Sequence, residues 1–211
     1  MGDAQEEIGM KKLITCLVVC VLSGATFATT WTVDDDGKAD FDNIQAAVDA
    51  ASDGDEIVVM PGTYTSTQDG HVVNMLGKAV WLHSSEGQEV TIIDGEDERR
   101  GVACFNGEDN NTHIEGFTIK NGYSVNFTYD EFGSGNENGG GIILVSSSPS
   151  FSGCNIKENT SPETIQWQNG IGGGVFCTGT SPHHFSMFTN CIIKDNTAAN
   201  GAGFACWYAN N

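Results

Sequence analysis

The sequence predicts an all-β chain wound as a solenoid of stacked coils, and three observations predict it. Short apolar runs bounded by Gly, Asn or Ser recur along the chain, which is how strands are punctuated. Equivalent runs return at a fixed interval: Phe117-Thr-Ile-Lys120, Cys154-Asn-Ile-Lys157 and Cys191-Ile-Ile-Lys194 are spaced 37 and 37 residues apart. Glycine accounts for 27 of 211 residues, about twice the usual ~7%, and one segment alone carries a helical period. Self-similarity of this kind marks an architecture in which each unit buries its apolar face against the next.

The elements are taken in chain order. Met10, Lys11 and Lys12 open a basic region, Leu13 to Leu22 is an uncharged apolar run of ten, and Ser23 to Ala28 is small. This is the order of a secretory signal peptide, with cleavage expected after Ala28 and Met10 as the natural start. Ten apolar residues fall short of the ~20 that span a bilayer. Residues 1–28 are therefore read as upstream residues plus signal, and 29–211 as one domain without a transmembrane segment. Next, Phe41, Ile44, Val48 and Ala51 share one face at helical spacing, with Asp40 or Asp42 as N-cap and Gly54 after the end. A helix there would cover the open end of a solenoid.

Strand-like runs come next at Ile57–Met60, Val72–Met75, Ala79–His83 and Val90–Asp94. Two sets alternate beyond them. One is Gly101-Val-Ala-Cys104, Gly141-Ile-Ile-Leu144, Gly174-Val-Phe-Cys177 and Gly203-Phe-Ala-Cys206. The other is the 37-residue series above. Stacked coils turn equivalent residues into columns. Cys154 and Cys191 fall in an inward column with Phe117; Cys104, Cys177 and Cys206 fall in another with Leu144. Cys16 and Cys20 leave with the signal, and the five remaining cysteines read as small apolar core residues. An odd count over this length is not a disulfide scaffold, although stacked neighbours would stand near bridging range. Asn159 and Asn196 are equivalent, at positions suited to a left-handed residue whose side chain bonds the next coil. Lys120, Lys157 and Lys194 form an outward column beside Glu158 and Asp195.

Charge narrows the partners. With 28 acidic and 9 basic residues the net charge is −19, which repels phosphate backbones and excludes nucleic acid. Neutral glycans remain compatible with such a surface.

The N-terminal pattern Val33-Asp-Asp-Asp-Gly37, Asp40-Phe-Asp-Asn-Ile-Gln-Ala-Ala-Val-Asp-Ala-Ala51, Gly54-Asp-Glu-Ile-Val-Val59, Pro61-Gly-Thr-Tyr64 and Thr91-Ile-Ile-Asp-Gly95 resembles the right-handed parallel β-helix (pectin-lyase-like) superfamily. That superfamily includes pectate lyases and pectin methylesterases. The later coils, Lys157-Glu-Asn-Thr160 with Gly172-Gly-Gly-Val-Phe176 and Lys194-Asp-Asn-Thr-Ala198 with Gly201-Ala-Gly-Phe204, are similar to repeats of polymorphic outer-membrane proteins. The resemblance covers nearly all of 31–207. It implies an all-β right-handed parallel β-helix (solenoid) with an N-terminal capping α-helix, and a location that is secreted or on the bacterial outer surface or periplasm. Fold does not carry chemistry by itself.

The family chemistry is thinly represented. The esterase aspartates and glutamine have no counterpart in Gly139-Gly-Gly-Ile-Ile-Leu144 or Lys157-Glu-Asn-Thr160. A lyase would need calcium, held by clustered carboxylates, and a basic group to take the proton beside the uronate. Lys157, with Glu158 and Asp195, is the weak catalytic candidate. Arg99 and Arg100 read as a salt-bridged turn. Asp34, Asp35, Asp36, Asp40 and Asp42 lack the calcium-loop spacing. His183 and His184 read as loop residues. No metal site and no cofactor is expected beyond the calcium that the lyase reading requires.

A binding surface remains. The links after the Lys column lengthen at Gly122–Asn138 and at Thr160–Gly170. They carry Tyr123, Phe127, Tyr129, Asp130 and Trp167, and project from one side. Aromatic rings and nearby carboxylates there suit a polysaccharide or surface glycan. The leading expectation is an exported, monomeric, non-catalytic carbohydrate-binding protein, continuing beyond residue 211. The rival expectations are a calcium-dependent polysaccharide lyase or hydrolase, and a structural stalk of a surface protein.

Overall fold

The structure is a computed structural model, and it describes residues 28–66, 70–124, 138–162, 170–179 and 186–208. The signal-peptide expectation lies outside the described residues. The strands, numbered in chain order, fall into three sheets. Sheet A holds β1 (Thr30–Val33), β2 (Glu56–Val59), β5 (Trp81–Ser84), β8 (His113–Glu115), β11 (Ser150–Ser152) and β15 (Met187–Thr189). Sheet B holds β3 (Gly62–Tyr64), β6 (Thr91–Asp94), β9 (Thr118–Lys120), β12 (Asn155–Lys157) and β16 (Ile192–Lys194). Sheet C holds β4 (His71–Asn74), β7 (Arg100–Cys104), β10 (Ile142–Val145), β14 (Val175–Gly179) and β18 (Phe204–Tyr208). A short pair, β13 (Thr160–Ser161) with β17 (Thr197–Ala198), lies between sheets B and C in chain order.

Every strand pairing is parallel, and from β2 onward the chain visits A, B and C in rotation. We call each successive A–B–C set a coil. Among the described residues the fold is all-β with one helix, and it is consistent with a β-solenoid. The sequence separates two strand types per coil, whereas the structure has three. The type not recognised is sheet A in the later coils, where three-residue strands carry a single inward apolar residue: Ile114, Phe151 and Phe188 in register. One apolar residue per strand leaves no alternation to read.

The core is the space between the sheets. Ile57, Leu82, Ile114 and Phe151 enter from A, Tyr64, Ile93, Ile119 and Ile156 from B, and Val102, Cys104, Leu144 and Val175 from C. Phe151 and Phe188 stack face to face, their centroids 4.9 Å apart. Sheet C is buried on its other face too, through Ala103, Ile143, Val145 and Phe176. Its strands are therefore continuous apolar runs, as parallel strands covered on both sides should be. Both cysteine columns are in register as expected, Cys104, Leu144, Cys177 and Cys206 in one and Phe117, Cys154 and Cys191 in the other. The core reading holds for Cys104, Cys154 and Cys177 alone: Cys191 is half-buried and Cys206, in the last described strand, is exposed.

The single helix among the described residues, α1 (Ile44–Ala50), buries Ile44, Ala47 and Val48. Its N-cap is Asn43, whose side chain accepts from the Ala46 amide at 2.8 Å. This corrects the expectation of Asp40 or Asp42. The Asp40 carboxylate is occupied by the amide and hydroxyl of Thr32, at 2.9 and 2.8 Å. The helix ends at Ala51, whose amide returns to the Ala47 carbonyl at 2.9 Å, three residues before Gly54.

Two polar columns hold the corner after sheet B. The left-handed residues there are Asn121, Glu158 and Asp195, with φ of 49°, 57° and 55°. The sequence pattern puts Asn159 and Asn196 in that role, one residue late. Those two face inward instead. Asn159, fully buried, accepts the Gly122 amide at 2.8 Å and donates to the Ile119 carbonyl at 3.0 Å. Its amide and its Nδ2 both donate to Asn196 Oδ1 at 3.0 Å. Asn196 in turn donates to the Ile156 carbonyl at 3.0 Å. Each asparagine thus ties its own coil to the preceding one.

The glycine that opens the sheet C runs at Gly101, Gly141 and Gly174 now has a cause. A Cβ on Gly141 would stand 2.6 Å from the Gly174 carbonyl oxygen and 2.8 Å from Asn159 Nδ2. Neither backbone nor a buried amide can yield cheaply. Gly141→Ala is expected to cost about 2 kcal/mol, the usual scale of overpacking. A urea unfolding midpoint unchanged from wild type would contradict this.

Candidate functional site

The outer face of sheet A is where unburied chemistry gathers. Strands in register place side chains on two outward rows. One runs Thr30, Glu56, Trp81, His113, Ser150, Met187; the other runs Thr32, Val58, His83, Glu115, Ser152, Thr189. Trp81 is 43% exposed although it is the largest side chain type. It stacks on His83 with centroids 4.1 Å apart and rings inclined by 23°. Its Nε1 donates to Glu115 Oε2 at 3.2 Å.

Two histidine–carboxylate contacts flank the ring. His83 Nε2 lies 3.0 Å from Glu56 Oε1, and His113 Nε2 lies 3.3 Å from Glu115 Oε2. The Thr30 hydroxyl donates to Glu56 at 2.8 Å. That bond, followed by His83, holds the Glu56 carboxyl below its ordinary range. Beside Trp81 a cleft of about 510 Å³ is lined by Asp53, Asp55, Glu56, Ala79 and Asn111. Asp55 is committed to structure. It accepts the Thr29 and Ser52 amides at 2.7 and 2.9 Å and Trp31 Nε1 at 3.1 Å, and these bonds, Ser52 first, lower its pKa.

Ser152, His113 and Glu115 are the residue types of a hydrolytic triad, and Ser152 Oγ is 3.1 Å from His113. Both the serine and the carboxylate meet the same nitrogen, Nε2. A relay needs the carboxylate on one ring nitrogen and the nucleophile on the other. The arrangement orders a surface; it does not activate Ser152.

The residues expected from the sequence are distributed as follows. Lys157 and Glu158 form an exposed ion pair at 3.2 Å. Asp195 takes the Glu158 position in the next coil, and Lys120, Lys157 and Lys194 are in register as a column. Lys120 is paired with Asp94 at 3.2 Å. Tyr123 is half-buried and bridges to Thr160 at the root of its loop. Phe127, Tyr129, Asp130 and Trp167 lie outside the described residues, as do His183 and His184. Arg99 does pair with Glu96 and Glu98, but Arg100 corrects the turn reading. It opens β7, is 1% exposed, and donates from Nε to the Asn138 carbonyl at 3.0 Å.

The acidic run before α1 is spread over separate protein partners. Asp35 accepts the Thr63 amide at 2.9 Å, while Asp36 pairs with Lys38. Among the described residues no three His, Cys, Asp or Glu side chains are grouped to hold a metal ion. Among them, too, no helix is long and apolar enough to cross a membrane. Compared with known proteins, the chain matches no family model, and no curated protein matches it either.

The sheet A site escapes sequence reasoning because its members come from three coils. Glu56, Trp81 and His113 are neighbours only through register. The available signal was an alignment of Trp81-Leu-His83 with His113-Ile-Glu115, each a polar–apolar–polar triplet.

Proposed function

We propose that the chain is an exported or cell-surface right-handed parallel β-helix of the pectin-lyase-like kind that binds carbohydrate without turning it over. The rotation of the chain through three parallel sheets supports the fold, and α1, packed beside β1, β2 and β4, is its N-terminal cap. One observation carries the function: Trp81, held flat and exposed on a ruled, polar sheet face among Glu56, His83, His113 and Glu115. An immobilised indole offers a stacking plane for a pyranose ring, and neighbouring carboxylates accept sugar hydroxyls. The acid–base pairs bind each other, and the shared Nε2 leaves Ser152 unactivated. The result is binding without cleavage.

A glycan array probed with the purified chain tests this. Binding to a polysaccharide is expected, with Trp81→Ala weakening it at least ~10-fold, as loss of a central aromatic contact does. Undiminished binding by Trp81→Ala would move the site elsewhere, the loops bearing Tyr129 and Trp167 first. Appearance of an unsaturated, ultraviolet-absorbing product in the presence of calcium would replace the reading by a lyase.

A further inference from the structure

Four of the five described cysteines form two in-register pairs across the same boundary. Cys177 of β14 stands opposite Cys206 of β18. Cys154 stands opposite Cys191, because Asn155 pairs with Ile192 and the Ile192 amide bonds the Cys154 carbonyl at 2.8 Å. Cys154 and Cys177 belong to the coil β11–β14, and Cys191 and Cys206 to the coil β15–β18. In-register parallel neighbours are separated by about 4.8 Å, inside the Cα range of disulfides. Within each pair the two thiols are close enough to perturb each other's ionisation. The Cys154 and Cys191 sulfurs sit in equivalent places, over the Ser152 and Thr189 carbonyls at 3.4 and 3.5 Å. All five thiols are free in this structure.

We propose that Cys154–Cys191 and Cys177–Cys206 are two disulfide-forming pairs that clamp the β15–β18 coil onto the coil beneath it from two different sheets. Each pair joins a buried thiol to a reachable one. Cys154 and Cys177 are buried, Cys191 is half-buried and Cys206 is exposed. The neighbouring Cys154 thiol, first among the causes, lowers the Cys191 thiol to about 7, so Cys191 supplies the attacking thiolate near neutral pH. That thiolate attacks one sulfur of a small-molecule disulfide and expels the other as a thiol. The Cys154 sulfur then attacks the Cys191 sulfur, its proton leaving with the second half of the small disulfide, which departs as a thiol. Two protein thiols become one bridge, and one small disulfide becomes two thiols. Cys104 takes no part: Leu144 stands between it and Cys177 in the column.

The coil they would hold carries the two most exposed large apolar side chains described. Met187 is 60% exposed, and Ile192 49%. A closed loop restricts the unfolded chain and raises the cost of local opening.

The test uses the full chain, purified reduced and then equilibrated with oxidised glutathione. Peptide mapping is expected to find Cys154 joined to Cys191 and Cys177 to Cys206, with Cys104 as a thiol. Trypsin cleavage after Lys194, in the clamped coil, should slow about tenfold and recover with dithiothreitol. Cys191→Ser should remove the first bridge and leave the second; Cys206→Ser should do the reverse. Retention of all five thiols, crosslinks between chains through Cys206, or bridges involving Cys104 would each overturn the proposal. So would bridges that leave cleavage at Lys194 unchanged.

Discussion

Asn159→Ala will cost about 3 kcal/mol of unfolding free energy. The Asn159 side chain is fully buried and serves two backbone groups of the preceding coil, the Gly122 N–H and the Ile119 carbonyl. Alanine leaves the Gly122 N–H without this acceptor and away from water, at about 1–3 kcal/mol, and removes the second bond from the Ile119 carbonyl, which keeps its strand pairing. It also strips Asn196 of the Nδ2 donor above it. Asn159→Asp separates the contributions. The oxygen that accepts from Gly122 is kept, the donor to Ile119 is lost, and a carboxylate is buried in place of a neutral amide. An equal or larger loss is expected. Urea titration of both variants at unchanged slope reads the difference. A midpoint shift equivalent to less than about 1 kcal/mol would show that water replaces the amide at this corner.

Acid will weaken the fold through His71. Its ring packs edge-on against Phe105, centroids 5.6 Å apart, and stands opposite Arg100 in the neighbouring strand. Burial first, and then the Arg100 guanidinium, push its pKa from 6.5 down to about 4. Because the folded value is depressed, the unfolded chain binds the proton more readily between these two values. The stability is therefore complete above about 6.5 and is lost as pH falls toward 4. The full depression amounts to about 3 kcal/mol. His71→Phe removes the titrating group while keeping a flat ring beside Phe105. Its stability should fall less over the same window, and the difference between the two pH profiles isolates the histidine. Parallel profiles would show that the ring reaches water when protonated. Below pH 4 the lowered carboxyls of Asp55 and Glu56 add to the loss with the same sign.

What the sequence discloses depends on how many faces of a strand are buried. Sheet C is covered on both, so Val102–Cys104, Ile142–Val145 and Val175–Cys177 stand out as unbroken apolar runs. Sheet B is legible because Ile119, Ile156 and Ile193 precede a lysine at constant spacing. Sheet A is nearly silent. Its one inward residue per strand is hidden among serines, histidines and glutamates that face solvent, and those same solvent-facing residues make the candidate site. The columns of cysteine and asparagine are readable from spacing alone. Their conformations are not, because the left-handed turn is set by how the chain leaves β12 and β16, one residue before Asn159 and Asn196. The inward turn of Arg100 is equally hidden, since its neighbour Arg99 satisfies the acidic turn by itself.

The pairing of each strand with its counterpart one coil away bears on how the molecule comes into being. Ile156 meets Ile119 on one side and Ile193 on the other, each 37 residues away. Among the described residues each strand of sheets A, B and C pairs only with the neighbouring strands of its own sheet, one coil before or after it. Structure can therefore grow from one end by successive additions, each new layer laid on a finished one. During synthesis or passage through a membrane in linear order, the segment already emerged would be a completed template for the next. Growth of that kind is limited by the first layer, whose helix-backed strands must assemble without a template. Damage near β1 and β2 should then delay the whole molecule, whereas damage in the last layer should leave the earlier ones standing.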